Sequence, residues 1–410
     1  MRIFFVCHRV PFPPNRGDKI ATYNKIRHLA RQHEVHVLCL ADGADDLTNV
    51  AGLKGEVASV TAVAVSPLRS RLRALRALPG GAPLSVAMLA EPALHAAIRR
   101  RFTDLAPDLV FVYSSNVAQF AEPFPRTRRI MHFSDLDSLK WRAYAQRAVL
   151  PMRWLYALEG RRLLEYERHV ARTFSRSLVC TEAEAEDFRA LIPDAPVDVV
   201  RNGVDVAYFR PAGAVRQPAS LVFTGVMNYR PNVDAVRWFC SAILPLVRRD
   251  VPAATLTICG SRPNGAVRRL GRLAGVTVTG AVADVRPYLD RAEVFVAPLR
   301  IARGIQNKVL EAMAMGLPVV TTQAVWRASA IPAGDGIVAA DTAEAFAAQV
   351  VRLLRDPSHR AAMAHRARLA VESGHSWDAQ LTALDRVIAA VAAAPQCDPS
   401  KDQYRRGGPA

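Results

Sequence analysis

The chain has 410 residues, half of them hydrophobic and 22% charged, so it is long enough for two or three domains and too apolar to stay unfolded. Its net charge is +17, and 48 of its 54 basic residues are arginine, a surplus that favours phosphates, nucleic acid or an anionic membrane surface as partners. No run of about 18 apolar residues is present to form a spanning helix, and the short apolar start from Met1 to Cys7 gives way at once to charge and proline, unlike a secretory leader.

In chain order, β-branched runs at residues 2–7, 34–40, 57–65, 109–112, 129–133, 178–180 and 197–200 predict strands in the first half. Runs at 221–224, 255–259, 276–279, 294–297 and 319–321 predict strands in the second. Segments of helical spacing lie between them, among them 19–31, 153–173, 233–249 and 342–355. Such alternation predicts parallel sheets with helices on both faces. Twelve strands exceed one typical sheet, and the aperiodic stretch 210–218, with Pro211, Gly213 and Pro218, marks the break. The expected α/β architecture is two doubly wound, Rossmann-like domains, 1–210 and 211–385, facing a central cleft. The last helix is free to pack back on the first domain, and residues 395–410 are expected to be a disordered tail. The six cysteines (7, 39, 180, 240, 259 and 397) form no CxxC pair and read as buried, reduced thiols of a cytoplasmic protein.

Several segments carry chemistry. In the loop after the first strand, Gly17 with Arg16 and Lys19 suits a phosphate or a second substrate, while a proline-rich turn capped by Asp18 is the competing reading. Residues 67–78 place Leu68, Leu72, Leu75 and Leu78 on one helical face and Arg69, Arg73 and Arg76 on the other, a pattern for an interfacial helix on anionic lipid or for a solvated helix. His132, Ser134 and Asp135 stand at the end of a predicted strand, and Asp135 with Asp137 reads weakly as a metal-chelating DxD. Gly225 at another strand end permits close approach of a ligand to backbone, and Arg230 follows it.

The most informative stretch runs from Ala297 to Val320. A buried strand leads into a loop with Arg303, Gly304, Ile305 and Gln306, then into a helix with Asn307 as expected N-cap and Gly316 and Pro318 as stops. Free N–H groups at a helix start beyond a parallel sheet form an anion site. Lys308 would face a diphosphate and Glu311, one turn on, would accept ribose hydroxyls; an i,i+3 surface pair is the alternative.

Taken in order, Arg9 to Lys19, Cys180 to Glu184, Val200 to Asp205, Phe223 to Gly225 and Gly304 to Val320 resemble the family 4 glycosyltransferases of the GT-B fold. The opening motif and the turn Tyr229 to Asn232 are similar to sugar transferases of exosortase-type exopolysaccharide clusters. The resemblance implies a retaining enzyme that moves a sugar from a nucleotide-diphosphate donor to a glycan or lipid-linked acceptor. No metal or further cofactor is implied. The donor would bind the C-terminal domain through Gly225, Arg230, Arg303, Gly304, Ile305, Gln306, Asn307, Lys308 and Glu311. Asp135 or His132 would stand where relatives carry a catalytic histidine, and Arg16, Gly17, Asp18 and Lys19 would form the acceptor-side loop. The sequence departs from the family's paired glutamates, since Arg303 occupies the first position. Apart from the resemblance, the cysteine pattern points to a cytoplasmic location, and the basic helix face of Arg69, Arg73 and Arg76 to a peripheral place on the inner membrane face. A nucleotide-sugar epimerase of similar architecture is the nearest rival, and a non-catalytic nucleic-acid binder the second, with no RNP motif, zinc finger or basic tail to support specific nucleic-acid recognition.

Overall fold

The computed structural model describes residues 1–301, 304–332 and 334–394. The first half contributes strands β1 (Arg2–Cys7), β2 (Glu34–Ala41), β3 (Ser59–Ala64), β4 (Leu109–Tyr113), β5 (Arg128–Ser134), β6 (Arg176–Val179) and β7 (Val197–Val199). The second contributes β8 (Ser220–Thr224), β9 (Thr255–Cys259), β10 (Val276–Gly280), β11 (Val294–Ala297), β12 (Val319–Thr321) and β13 (Ile337–Ala339). Every pairing is parallel, in the orders β3-β2-β1-β4-β5-β6-β7 and β10-β9-β8-β11-β12-β13. Strands such as β4 (LVFVY) and β8 (SLVFT) are buried along their whole length, because helices cover both faces of each sheet.

Both sheets have the doubly wound order. The chain runs outward from the central strand, then returns to its other side, so the direction reverses between β1 and β4 and between β8 and β11. At such a reversal the connections leave in opposite directions and open a crevice at the carboxyl ends of the strands. His8, Ser114, Gly225 and Pro298 follow those four strands.

Two compact units result, residues 1–200 together with those from 381, and residues 201–380. The break therefore comes earlier than the expected position 210. Residues 201–210 join the second unit because Val204 is buried in its core and its N–H donates to the His375 carbonyl at 2.8 Å. The helix Trp377–Ala393 begins in the second unit and ends in the first, where Leu381, Leu384 and Ile388 are buried. The expected tail 395–410 lies outside the described residues.

Two elements differ from expectation. β13 is a three-residue strand between glycine-rich turns and Asp341, too short to show a period. The helix expected over 233–249 is Arg230–Trp238, a π-helical turn Phe239–Ile243, and Leu244–Asp250. Pro245 has no N–H to continue the regular ladder, and the wider turn falls just before it.

Candidate active site

In the second unit the site grows from β8. Thr224 ends the strand, Gly225 turns the chain, and the helix Arg230–Trp238 begins with Pro231 in its first turn. A Cβ at Gly225 would lie 2.7 Å from Asn232 Nδ2 and 3.0 Å from Lys308 Nζ, so a side chain there would displace both groups. Beside it Gly260 follows the end of β9, where a Cβ would lie 1.7 Å from the Gly225 carbonyl oxygen. Two glycines thus let two backbones and an ammonium group occupy one small volume.

Lys308 is held from two sides. Its Nζ donates to Asn232 Oδ1 at 2.6 Å and lies 4.6 Å from the centre of the Phe223 ring. The Asn232 amide is oriented by its other end, since Nδ2 donates to the Val226 carbonyl at 3.0 Å. Burial lowers Lys308 to about 7, opposed by the Glu311 charge, and burial raises Glu311 to about 7, opposed by Lys308.

The remaining donor-side residues do not share one environment. Gly304 has a positive φ of 65°, and Gln306 occupies the cap position of the helix Asn307–Ala314 without a side-chain cap. Asn307 is therefore the first helical residue and not the expected N-cap; its Oδ1 instead accepts from Asn202 Nδ2 at 3.4 Å. The Ile305 side chain lies in the hydrophobic core, which leaves its backbone as the part able to meet a ligand. Arg230 is exposed at the helix start, and the residue of that turn that reaches Lys308 is Asn232. Arg303 lies outside the described residues. Asn232 escaped sequence reasoning because a polar residue just after a proline reads as ordinary helix-start composition.

In the first unit, the loop after β1 closes on Asp18. Its carboxylate accepts from His8 Nε2 at 3.2 Å and Arg9 Nη1 at 2.8 Å and pairs with Arg16 Nε at 2.8 Å. Burial would raise this carboxyl, but the His8 hydrogen bond and the charges of His8, Arg16 and Arg9 hold it far below the usual carboxylate range. Lys19 pairs with Asp46 at 2.8 Å, both largely buried. In the expected phosphate loop, Arg16 and Lys19 are thus each paired with a carboxylate of the protein, Asp18 organises the turn, and Gly17 opens the helix Gly17–Ala30.

His132 is fully buried, between Tyr113 at 5.0 Å and Phe111 at 6.2 Å, ring centre to ring centre. Its Nδ1 accepts the Ser134 N–H at 3.1 Å, and burial, followed by the Lys25 charge, depresses its pKa strongly. The expected catalytic histidine is therefore a buried ring packed against two aromatic side chains, with no exposed surface in this structure. Ser134 has a positive φ of 66° at the end of β5, and Asp135 follows it, partly buried. The Asp135 charge bears on Tyr113, Cys180 and Glu184; burial first and Asp135 second raise the Glu184 carboxyl to about 8. Asp137 heads the helix Asp137–Arg147 and pairs with Lys140, so the DxD is divided between a strand end and a helix start. Among the described residues, no three His, Cys, Asp or Glu side chains are grouped to hold a metal ion. Lys25, fully buried beside the Tyr113 ring and lowered by burial to about 8, was not singled out from the sequence, because one lysine in an amphipathic helix reads as surface.

Comparison with known proteins agrees with this architecture. Among solved structures, sucrose-phosphate synthase from Thermosynechococcus elongatus superposes with a TM-score of 0.71 at 14% identity, over 96% of this chain and all of that one. Anabaena HepE in complex with UDP-glucose gives 0.66 at 15% identity, over 95% of this chain and 100% of that one. WaaG, a glycosyltransferase involved in lipopolysaccharide biosynthesis, gives 0.67 at 16%, over 94% and 99%. A curated Klebsiella pneumoniae relative, an uncharacterized 44.6 kDa protein in the cps region, is 22% identical over 147 residues, which is 34% of this chain and 38% of the relative. Residues 19–203 match the glycosyl transferase 4-like domain and residues 218–356 the glycosyl transferases group 1 domain. The chain is thus a GT-B glycosyltransferase in its build, a 4-like domain followed by a group 1 domain.

Proposed function

We propose that the protein transfers a sugar, with retention of anomeric configuration, from a nucleotide-diphosphate sugar to a glycan or lipid-linked acceptor in surface-polysaccharide synthesis. The observation that carries this reading is the Lys308 ammonium, oriented by Asn232 and Phe223 over Gly225, at the carboxyl end of the strand where the second sheet reverses. Loss of a nucleoside diphosphate places negative charge on the leaving oxygen. A fixed cation and the start of a helix stabilise that charge with no reorganisation at the moment of bond cleavage. Glu311, one turn along, accepts the ribose hydroxyls. Asp135, at the end of β5, is the acceptor-side carboxylate of this reading. The capture of UDP and UDP-glucose by Anabaena HepE, a protein of the same fold, supports a donor of this class.

Lys308→Ala and Glu311→Ala are each expected to cut transfer at least about tenfold with the melting temperature preserved, since each removes a charge-assisted contact to donor. A thermal-shift series with UDP-, GDP- and ADP-sugars identifies the nucleotide, because a ligand raises apparent stability by mass action. Wild-type turnover in both variants would end the assignment, and donor conversion without any acceptor would favour an epimerase.

A further inference from the structure

The helix Pro67–Ala77 is docked with its leucines facing outward. Ser70 is buried, and Arg73 reaches inward to Ser70 Oγ, the Met88 carbonyl and Glu91, each at 3.1 Å. Leu68 is 69% exposed, Leu72 43% and Leu75 58%. At about 100° per residue these three leucines form one stripe. Arg69 and Arg76 flank it on one side and Arg71 on the other, all exposed. A helix that packs on a soluble domain ordinarily turns such a stripe inward. Here the earlier grouping of Arg69, Arg73 and Arg76 is corrected, because Arg73 belongs to the packing side.

A second apolar projection belongs to the same unit. Val149 is 81% exposed, Leu150 75% and Trp154 59%, at and just before the start of the helix Met152–Thr173. That helix is tied to the end of the first: Arg162 donates to the carbonyls of Ala77 at 3.1 Å and Leu78 at 2.8 Å. Trp154 precedes Arg162 by about two helical turns. No acidic residue occurs between positions 57 and 90 or between 138 and 158, whereas Arg69, Arg71, Arg76, Lys140, Arg142, Arg147 and Arg153 do. Protein partners of an apolar patch bring their own carboxylates at chosen points; a surface with none, and with guanidinium groups on both sides of its leucines, complements a uniformly anionic plane with an apolar interior.

We propose that the leucine stripe of the helix Pro67–Ala77 and the tip Val149 to Trp154 insert into the headgroup region of an anionic lipid bilayer, with the flanking arginines on its phosphates. The assignment is independent of the reaction catalysed. The test is co-sedimentation of the full chain with vesicles of phosphatidylcholine alone and with phosphatidylglycerol added. Binding is expected only with the anionic lipid. Leu68→Gln/Leu72→Gln/Leu75→Gln, which keeps helix-forming residues at exposed positions, is expected to weaken it at least about tenfold without moving the melting temperature. Arg69→Glu/Arg71→Glu/Arg76→Glu is expected to abolish it. Brominated lipid is expected to quench tryptophan emission in the wild type and to lose that quenching in Trp154→Phe. Wild-type binding by the leucine variant would mean attraction by charge alone and would overturn the proposal. So would absent quenching, equal binding to neutral vesicles, or a concentration-dependent dimer in sedimentation that the leucine substitutions dissolve.

Discussion

Asn232 and Lys308 show how one side chain prepares another. An unbound ammonium group near apolar walls loses hydration, and burial lowers Lys308 to about 7. The Asn232 oxygen, 2.6 Å away, supplies one acceptor and a fixed direction. Asn232→Leu removes that acceptor at nearly constant volume and is expected to weaken donor binding about three- to tenfold with little change in fold, as measured by UDP titration calorimetry. The pH dependence follows from the same group. A bound diphosphate raises the Lys308 pKa above its free value, so binding takes up a proton above pH 7. UDP affinity is therefore expected to fall as pH rises past 7, by at most about tenfold per unit, the limit for one proton. In Lys308→Met that alkaline slope should vanish; an unchanged slope would show that another group carries it. For stability the sign is opposite: the unfolded chain holds the Lys308 proton up to about its usual value while the empty folded protein releases it from about 7, so stability rises with pH across that window. Gly260 sets a steric limit at this scale. Gly260→Ala puts a Cβ against the Gly225 carbonyl and is expected to destabilise the second unit by at least about 2 kcal/mol, read from denaturant unfolding.

At the scale of elements, the helix Met152–Thr173 acts as a bracket for two shorter ones. Glu159 accepts from the N–H groups of Leu84 and Ser85 at 2.7 and 2.9 Å, at the start of the helix Leu84–Leu89. Arg162, three residues on, donates to the carbonyls that end the helix Pro67–Ala77. A carboxylate at a helix start and a guanidinium at a helix end both satisfy orphan backbone groups and oppose the local dipole. Glu159 is nearly inaccessible, so Glu159→Ala leaves two part-buried N–H groups without that acceptor. It is expected to cost about 2–3 kcal/mol and to loosen the leucine-bearing helix, visible as faster amide exchange over residues 67–89. Neither partner was legible in the sequence, where Glu159 and Arg162 read as members of a mixed-charge solvated face; their opposite ends lie 74 and 84 residues away.

For the whole molecule, the last helix decides where one unit ends. Leu381, Leu384 and Ile388 are buried within the first unit, and Asp385 Oδ1 meets His28 Nε2 at 2.8 Å. Removing residues after 380 exposes that apolar face and is expected to destabilise the first unit by several kcal/mol, seen as loss of solubility or of a melting transition. Asp385→Ala, at a half-exposed pair, should change stability by about 1 kcal/mol or less. A truncated chain that melts like the full one would show that the helix is not part of that core.

The alternation of β-branched runs with helical periods made two parallel sheets legible, because buried parallel strands are nearly continuous apolar runs bounded by turns. Local patterning also marked Gly225, Lys308 and Glu311, since a glycine at a strand end and charges at a helix start are features of a few adjacent residues. Sequence alone therefore determined the fold class, the number of sheets and the helix that carries the cation. Only the tertiary structure decided that Asn232 orients Lys308, that Asp18 and Asp46 consume the charges of the first loop, that His132 is sealed beneath Tyr113, and that the helix Pro67–Ala77 turns its leucines outward. Each of those outcomes depends on groups brought together from separate strands and helices, and the distance between such groups is a property of packing that no local period encodes.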